Sequence, residues 1–142
     1  MIELVDTSVW GWRERDADVK RLLDQKLLED EVGTCNAVRL ELLYSARNIS
    51  EFREIAGELD GLHTMPIGED EWRRALDVYA ALAARGGAHQ RQVKQLDLLI
   101  AAAAESADVP VFHCDADFDR IAKVTGQPTR WALPDERDLL SG

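Results

Sequence analysis

A strand that begins at the second residue and runs straight into an acid, Ile2-Glu3-Leu4-Val5-Asp6, limits the folds open to this chain. Its residues are mostly apolar, and Asp6-Thr7-Ser8 behind it groups turn and cap formers, so Ile2 to Val5 predicts a buried strand followed by a helix. The same unit recurs late in the chain. Val109-Pro110-Val111-Phe112-His113 predicts a strand ending at Cys114-Asp115, and Phe118 to Val124 predicts a short helix closed by Gly126.

Between these units the pattern alternates. Val19, Leu22, Leu23 and Leu27 repeat at helical spacing, Gly33 reads as the turn that ends the unit, and Val32 to Cys35 as a short second strand. Asn36 suits the N-cap of a helix through Arg47, and Ser50 that of a helix carrying Phe52, Ile55, Ala56 and Leu59. Leu62 to Ile67 predicts a strand broken by Pro66. Trp72, Ala75, Leu76 and Tyr79 form the stripe of a further helix stopping at Gly86-Gly87, and Ala88 to Lys94 reads as a basic connector. A helix from Gln95 to Ser106 follows, and Thr129 to Trp131 reads as an edge strand before a polar tail. Strands alternating with helices imply an α/β fold around a parallel sheet covered on both faces.

The chain of 142 residues suits a single domain spanning 1–142. Its longest apolar run, Leu98 to Ala104, is far shorter than the roughly 20 residues of a bilayer-spanning helix. No basic segment precedes an apolar run at the start, so a cytoplasmic location without membrane association is expected. Cys35 and Cys114 make no zinc or redox spacing; buried thiols and a single disulfide both fit them. A formal net charge of −10 argues against holding nucleic acid by diffuse electrostatics, which needs Lys and Arg on phosphates. It leaves a nuclease open, because divalent cations at an acidic cluster reverse the local sign. Arg13, Arg15, Arg39, Arg47, Arg73, Arg74, Arg85, Arg91 and Lys94 could form a local rim, although solvated helix faces explain most of them as well.

Four acids stand in comparable settings: Asp6, Glu41, Asp97 and Asp115, the last with Asp117 beside it. In an open α/β sheet ligands gather at the carboxyl ends of the strands, where Asp6 and Asp115 both fall. Glu41 and Asp97 lie on helices that can lean over the same edge. Each acid also has an ordinary reading. Asp6 can be only a helix cap, Glu41 only an exposed helix former, and Asp115 and Asp117 caps of the Phe118 helix, a role that fits Asp117 better than that of a ligand. Asp97 is the most informative, because Ile100, Ala101 and Ala104 share its face and a carboxylate is seldom buried without a partner. Gathered carboxylates repel one another unless cations compensate, and hard oxygen ligands suit Mg²⁺ or Mn²⁺. Thr7 and Ser8 could place a water or the scissile phosphate of a substrate, or simply cap.

These residues resemble the PIN-domain ribonucleases, and among them the VapC-type toxins of type II toxin-antitoxin pairs. The resemblance rests on Val5-Asp6-Thr7-Ser8-Val9-Trp10, Glu41-Leu42, Asp97-Leu98-Leu99-Ile100-Ala101-Ala102 and Asp115-Ala116-Asp117-Phe118, and covers nearly the whole chain. It implies a three-layer α/β/α sandwich and a catalytic metal site of Asp6, Glu41, Asp97 and Asp115, assisted by Asp117. It also implies Mg²⁺- or Mn²⁺-dependent cleavage of RNA (tRNA, rRNA or mRNA), a VapB-type antitoxin and a homodimer. One departure is His113, where the family more often has Thr or Ser. Two rivals belong to other classes. A receiver-like phosphoacceptor would show paired acids after the first strand and a Lys after a late one, and a PIN-like binding module would have lost part of the acid set.

Overall fold

Strand β1 (Glu3–Val5) lies in the middle of the sheet. In the computed structural model, which describes residues 1–86 and 92–133, it pairs in parallel with β2 (Val32–Thr34) on one side and β4 (Val111–His113) on the other. β3 (His63–Thr64) extends the sheet beyond β2 and β5 (Thr129–Trp131) beyond β4, again in parallel, giving the order β3-β2-β1-β4-β5. Parallel neighbours need crossovers, and helices supply them. α1 (Thr7–Arg13) and α2 (Ala17–Leu28) lead from β1 to β2, and α3 (Asn36–Tyr44) and α4 (Ile49–Leu59) from β2 to β3. α5 (Glu69–Ala84) and α6 (Gln95–Ser106) precede β4, and α7 (Asp117–Thr125) precedes β5.

Every residue of β1, β2 and β4 is buried. Successive strand side chains point to opposite faces, so both faces of the sheet are covered, as an α/β/α sandwich requires. The chain crosses from β1 to β2 on one side and later returns to β4 on the other, so the connections diverge between β1 and β4. That divergence opens a crevice at the carboxyl ends of these two strands. Asp6 and Asp115 follow them directly. Among the described residues no helix is long and apolar enough to cross a membrane.

Helix α6 is buried without interruption from Asp97 to Ala104. It packs against α3, α5 and α7 and over β1, and its run of four alanines, Ala101 to Ala104, permits that close approach on several sides. A second buried charge lies at the opposite end of β1. Glu3 accepts two bonds from the Arg130 guanidinium, at 2.9 and 2.5 Å, and pairs with Lys26 at 2.9 Å, while Arg130 lies 4.1 Å over the Phe112 ring. Burial alone would raise the Glu3 pKa, but these two cations hold it below the ordinary value.

Several local expectations are corrected. Gly33 lies inside β2 and makes no turn; the reversal before the strand is made by Asp30, whose φ is 57°. Helix α3 is capped by extended Cys35, with Asn36 its first helical residue, and Asn48, not Ser50, caps α4 by accepting the Glu51 N–H at 2.9 Å. The strand expected over Leu62 to Ile67 is shortened to His63–Thr64. Met65 adds one bond to Thr34 O, and Pro66, which has no N–H to donate, follows it. Helix α5 buries Ala75, Val78 and Leu82, leaving Trp72, Leu76 and Tyr79 of the expected stripe exposed. Helix α5 ends at Ala84 with Gly86 at φ 77°, while Gly87 and most of the connector to Lys94 lie outside the described residues, as does the tail from 134.

Gly33 is needed for close packing. A Cβ there would sit 2.7 and 2.8 Å from the Met65 side chain and 3.0 Å from the Glu3 carbonyl oxygen. Met65 can shift, but the backbone of the neighbouring strand cannot do so freely. Gly33→Ala is expected to destabilise by about 1–3 kcal/mol, the usual range for overpacking, read as a lower midpoint in urea. An unchanged midpoint would mean that β1 and β2 separate without loss.

Candidate metal centre

Asp6 is both a cap and something more. As N-cap of α1, it accepts through Oδ2 the Ser8 N–H at 3.1 Å and the Ser8 hydroxyl at 2.6 Å. The Ser8 oxygen in turn accepts the Cys114 N–H at 2.9 Å, which ties the end of β1 to the end of β4. The other carboxylate oxygen, Oδ1, is buried and has no hydrogen-bond partner. Glu41 leans in from α3, and its Oε1 accepts the Thr7 hydroxyl at 2.9 Å. Asp97, on the first turn of α6, is 3% exposed, and its Oδ2 makes no hydrogen bond.

Asp115 and Asp117 close the other side. Asp115 Oδ1 accepts the Asp117 N–H at 2.9 Å, so Asp115 takes up an N-terminal donor of α7. Asp117 does not cap α7, contrary to the reading its position suggested; that helix starts after Ala116 without a side-chain cap. Asp117 instead accepts the Lys94 N–H through Oδ2 at 3.0 Å, at the start of α6, and Arg120 through Oδ1 at 2.9 Å. Asp6, Glu41 and Asp97 each offer an oxygen within 4.8 Å of the others, and Asp97, Asp115 and Asp117 do the same. The five acids therefore gather as two trios that share Asp97.

The electrostatics follow from burial. Desolvation raises the Asp6 pKa to about 6, against the lowering effect of its Ser8 bonds and with added repulsion from Glu41 and Asp115. Asp97 is raised further, first by burial, then by the Asp6 charge and by its carboxyl contact with Asp117. Asp115 moves the other way: burial would raise it, but the Lys94 ammonium and the Asp117 N–H hold it below its ordinary value. Two buried, unsatisfied carboxylate oxygens in an all-oxygen cluster fit a hard divalent cation, which would satisfy both and offset the repulsion.

His113 is fully buried at the end of β4, where its ring packs at a tilt against Phe118 and Trp131, with centroids 5.1 and 4.9 Å away. Its Nδ1 accepts the Asp115 N–H at 3.2 Å, so a packed imidazole at the strand end supports the acidic loop. Cys35 and Cys114 are both buried and are not joined in a disulfide. Of the bases proposed for a rim, Lys94 alone reaches the carboxylates among the described residues. Arg13 pairs with Asp24 and Glu58, Arg47 with Glu51, Arg73 with Glu69 and Arg74 with Glu105, and Arg91 lies outside the described residues. In the sequence Lys94 reads as a connector base and as one of a possible rim, and its place three residues before Asp97 puts it within one helical turn of that acid.

The PIN domain family model matches residues 4–124. Ribonuclease VapC18 of Mycobacterium tuberculosis is 45% identical over 134 residues, covering 94% of this chain and 97% of that protein. This chain belongs to the PIN-domain family, in its VapC branch. Ribonuclease VapC51 of the same organism is 41% identical over 131 residues, covering 92% of this chain and 93% of the other. The DNA-bound VapBC structure from Salmonella typhimurium shares the fold, with a TM-score of 0.72 at 17% identity, over 93% of this chain and 99% of that one. VapBC-5 of Mycobacterium tuberculosis aligns at 27% identity with a TM-score of 0.59, over 92% and 96% of the two chains. In this PIN domain Asp6 is followed by Thr7, and Lys94 precedes a helix, so the paired acids and late-strand Lys of a receiver are absent from the described residues.

The raised pKa values set the sign of a pH dependence. Asp6 binds its proton more tightly folded than unfolded, so its contribution is fully present below the ordinary value of 3.8 and is lost as pH rises through about 6. Asp97 extends that decline to higher pH. In EDTA the parent should therefore lose Tm relative to Asp6→Asn as pH rises from about 4 through 6. Added Mn²⁺ should raise Tm more at higher pH, because the ion requires ionised ligands. Equal slopes in the parent and Asp6→Asn would show that Asp6 carries no such strain.

Proposed function

We propose that this chain, acting as one domain over 1–142, is a Mg²⁺- or Mn²⁺-dependent endoribonuclease and the toxin of a VapBC-type pair. The observation that carries the reading is the pair of buried oxygens without a hydrogen bond, Asp6 Oδ1 and Asp97 Oδ2, within an acidic cluster at the sheet's switch point. Its similarity to proteins named ribonuclease VapC supplies the substrate class. Asp6, Glu41 and Asp97 are the groups that would hold the ion directly, and Asp115 and Asp117 complete the acidic centre beside it, with Asp117 also fixing Lys94 and the start of α6. A divalent cation held there supplies positive charge to a non-bridging phosphate oxygen and makes water more acidic near neutral pH.

The remaining roles belong to the chain itself. Ser8 aims Asp6 and pins the loop after β4, while Thr7 aims Glu41. Both hydroxyl protons are committed to carboxylates, so what they still offer is acceptor capacity. That suits orienting an attacking water better than binding a phosphate oxygen. In-line attack with departure of the 3′ oxygen leaves a 5′ phosphate. The formal charge of −10 repels free RNA, so productive binding depends on the cation.

Known structures of similar fold are VapBC complexes, which supports a VapB-type antitoxin as partner. Two exposed apolar helix surfaces are available for association. Leu40, Tyr44, Ile49 and Phe52 project from α3 and α4, and Trp72, Leu76 and Tyr79 from α5 beside a groove of about 670 Å³. An antitoxin and a second copy of this chain in a homodimer would cover them, with an antitoxin Arg or Lys set near Asp6 and Asp97 in competition with metal. Such a pair works in the cytoplasm.

The test is cleavage of single-stranded and loop-containing RNA (tRNA, rRNA and mRNA fragments) by the chain freed of antitoxin. Cleavage should require Mg²⁺ or Mn²⁺, stop in EDTA and leave 5′ phosphates. Undiminished cleavage in excess chelator would overturn the reading.

A further inference from the structure

The two carboxylate trios differ in what already neutralises them. Among the described residues no cationic side chain pairs with Asp6 or Glu41, and the Asp6 Oδ1 atom is buried and unsatisfied. The Asp97–Asp115–Asp117 trio is different. The Lys94 ammonium donates to Asp115 Oδ2 at 2.5 Å and to Asp117 Oδ2 at 3.4 Å, and stands within ion-pair distance of Asp97 Oδ2 at 3.8 Å without a hydrogen bond to it. Arg120 takes the remaining oxygen of Asp117 at 2.9 Å.

Backbone geometry fixes the start of the Lys94 side chain. Lys94 is the N-cap of α6, with φ −69° and ψ 144°, and its N–H is held by the same Asp117 oxygen that its ammonium approaches. An ammonium carries three donors and imposes no coordination polyhedron, so it can serve three carboxylates from one edge. A small divalent ion in the same place would need near-octahedral ligation, would have to displace Lys94, and would meet the Arg120 charge nearby.

We propose that Lys94 is the built-in second cation of this centre: one divalent ion binds at Asp6, Glu41 and Asp97, while the Lys94 ammonium fills the Asp97–Asp115–Asp117 half and keeps a second ion out. The inference rests on the metal-dependent reading above and deepens it by setting the number of ions and naming the residue that sets it. Lys94 is a positioning residue: it holds Asp97 and Asp115 from one side while the ion holds Asp97 from the other.

The experiment counts Mn²⁺ bound per chain, by the loss of the free-ion electron paramagnetic resonance signal on titration, in the full metal-free chain without antitoxin. The parent and the charge-preserving Lys94→Arg should bind one Mn²⁺. Lys94→Met and the gentler Lys94→Gln should bind two, and should melt lower than the parent in EDTA and recover in Mn²⁺. The Lys94 side chain is 62% exposed, so these substitutions do not open the core. Two ions in the parent, or one ion in both uncharged variants, would overturn the role of Lys94 while leaving a metal centre standing. No bound Mn²⁺ in any variant would overturn the metal-dependent reading itself, and this inference with it.

Discussion

An acid with too few partners, Asp97, is buried at the head of the most enclosed helix of the fold, and much of the structure can be read as holding it there. An unpaired charge in a protein interior is penalised by several kcal/mol even after relaxation, a large part of the roughly 5–15 kcal/mol by which a domain is stable. Desolvation therefore drives the Asp97 pKa up, with repulsion from Asp6 adding to it. The apolar core offsets the penalty. Leu98 to Ala104 are buried directly behind the acid, between the sheet and helices α3, α5 and α7, so exposing Asp97 to water would require unpacking α6.

The parallel sheet explains why the other acids meet it. β1 and β4 are neighbours whose chains depart in different directions, and at their carboxyl ends the Asp6 N–H bonds Phe112 O at 2.9 Å. Ser8 then joins Asp6 to the backbone of Cys114, so one hydroxyl ties the acid after β1 to the loop after β4. Thr7 does the same for Glu41 across a third element. The ligand oxygens are thus set by short polar links on packed helices and strand ends, the arrangement in which a binding geometry survives thermal motion.

Much of this was legible because local chemistry and tertiary role coincide. Apolar runs ending in an acid gave β1 and β4, the apolar run around Asp97 gave α6 with its observed bounds, and Gly126 at φ 71° ends α7 as read. What escaped depends on partners distant in sequence. Periodicity shows that α5 has an apolar stripe but not which side meets the core, and small Ala75, Val78 and Leu82 face inward while Trp72 and Leu76 face out. Asp117 looked like a cap for its own helix and proved to hold the start of α6, 23 residues earlier in the chain. Glu3 is the one polar residue of the Ile2 to Val5 strand, and the two cations that accompany its burial come from α2 and β5. The ammonium of Lys94 among three carboxylates needed α6 and the loop after β4 to be placed together before it could be seen.

If the account is right, Asp97 works against stability until an ion arrives. The most direct measurement is a set of thermal melts of Asp97→Asn beside the parent, in EDTA and in Mn²⁺. In EDTA the variant should melt no lower than the parent, since Asn keeps the shape and hydrogen-bonding capacity of a protonated Asp while removing one repelling charge. In Mn²⁺ the order should reverse, because an ion at a hundredfold excess over Kd adds about 2.7 kcal/mol to the parent and less to a variant missing a ligand. A variant strongly destabilised in EDTA would contradict the account, and would make Asp97 a structural hydrogen-bonding residue instead of a ligand.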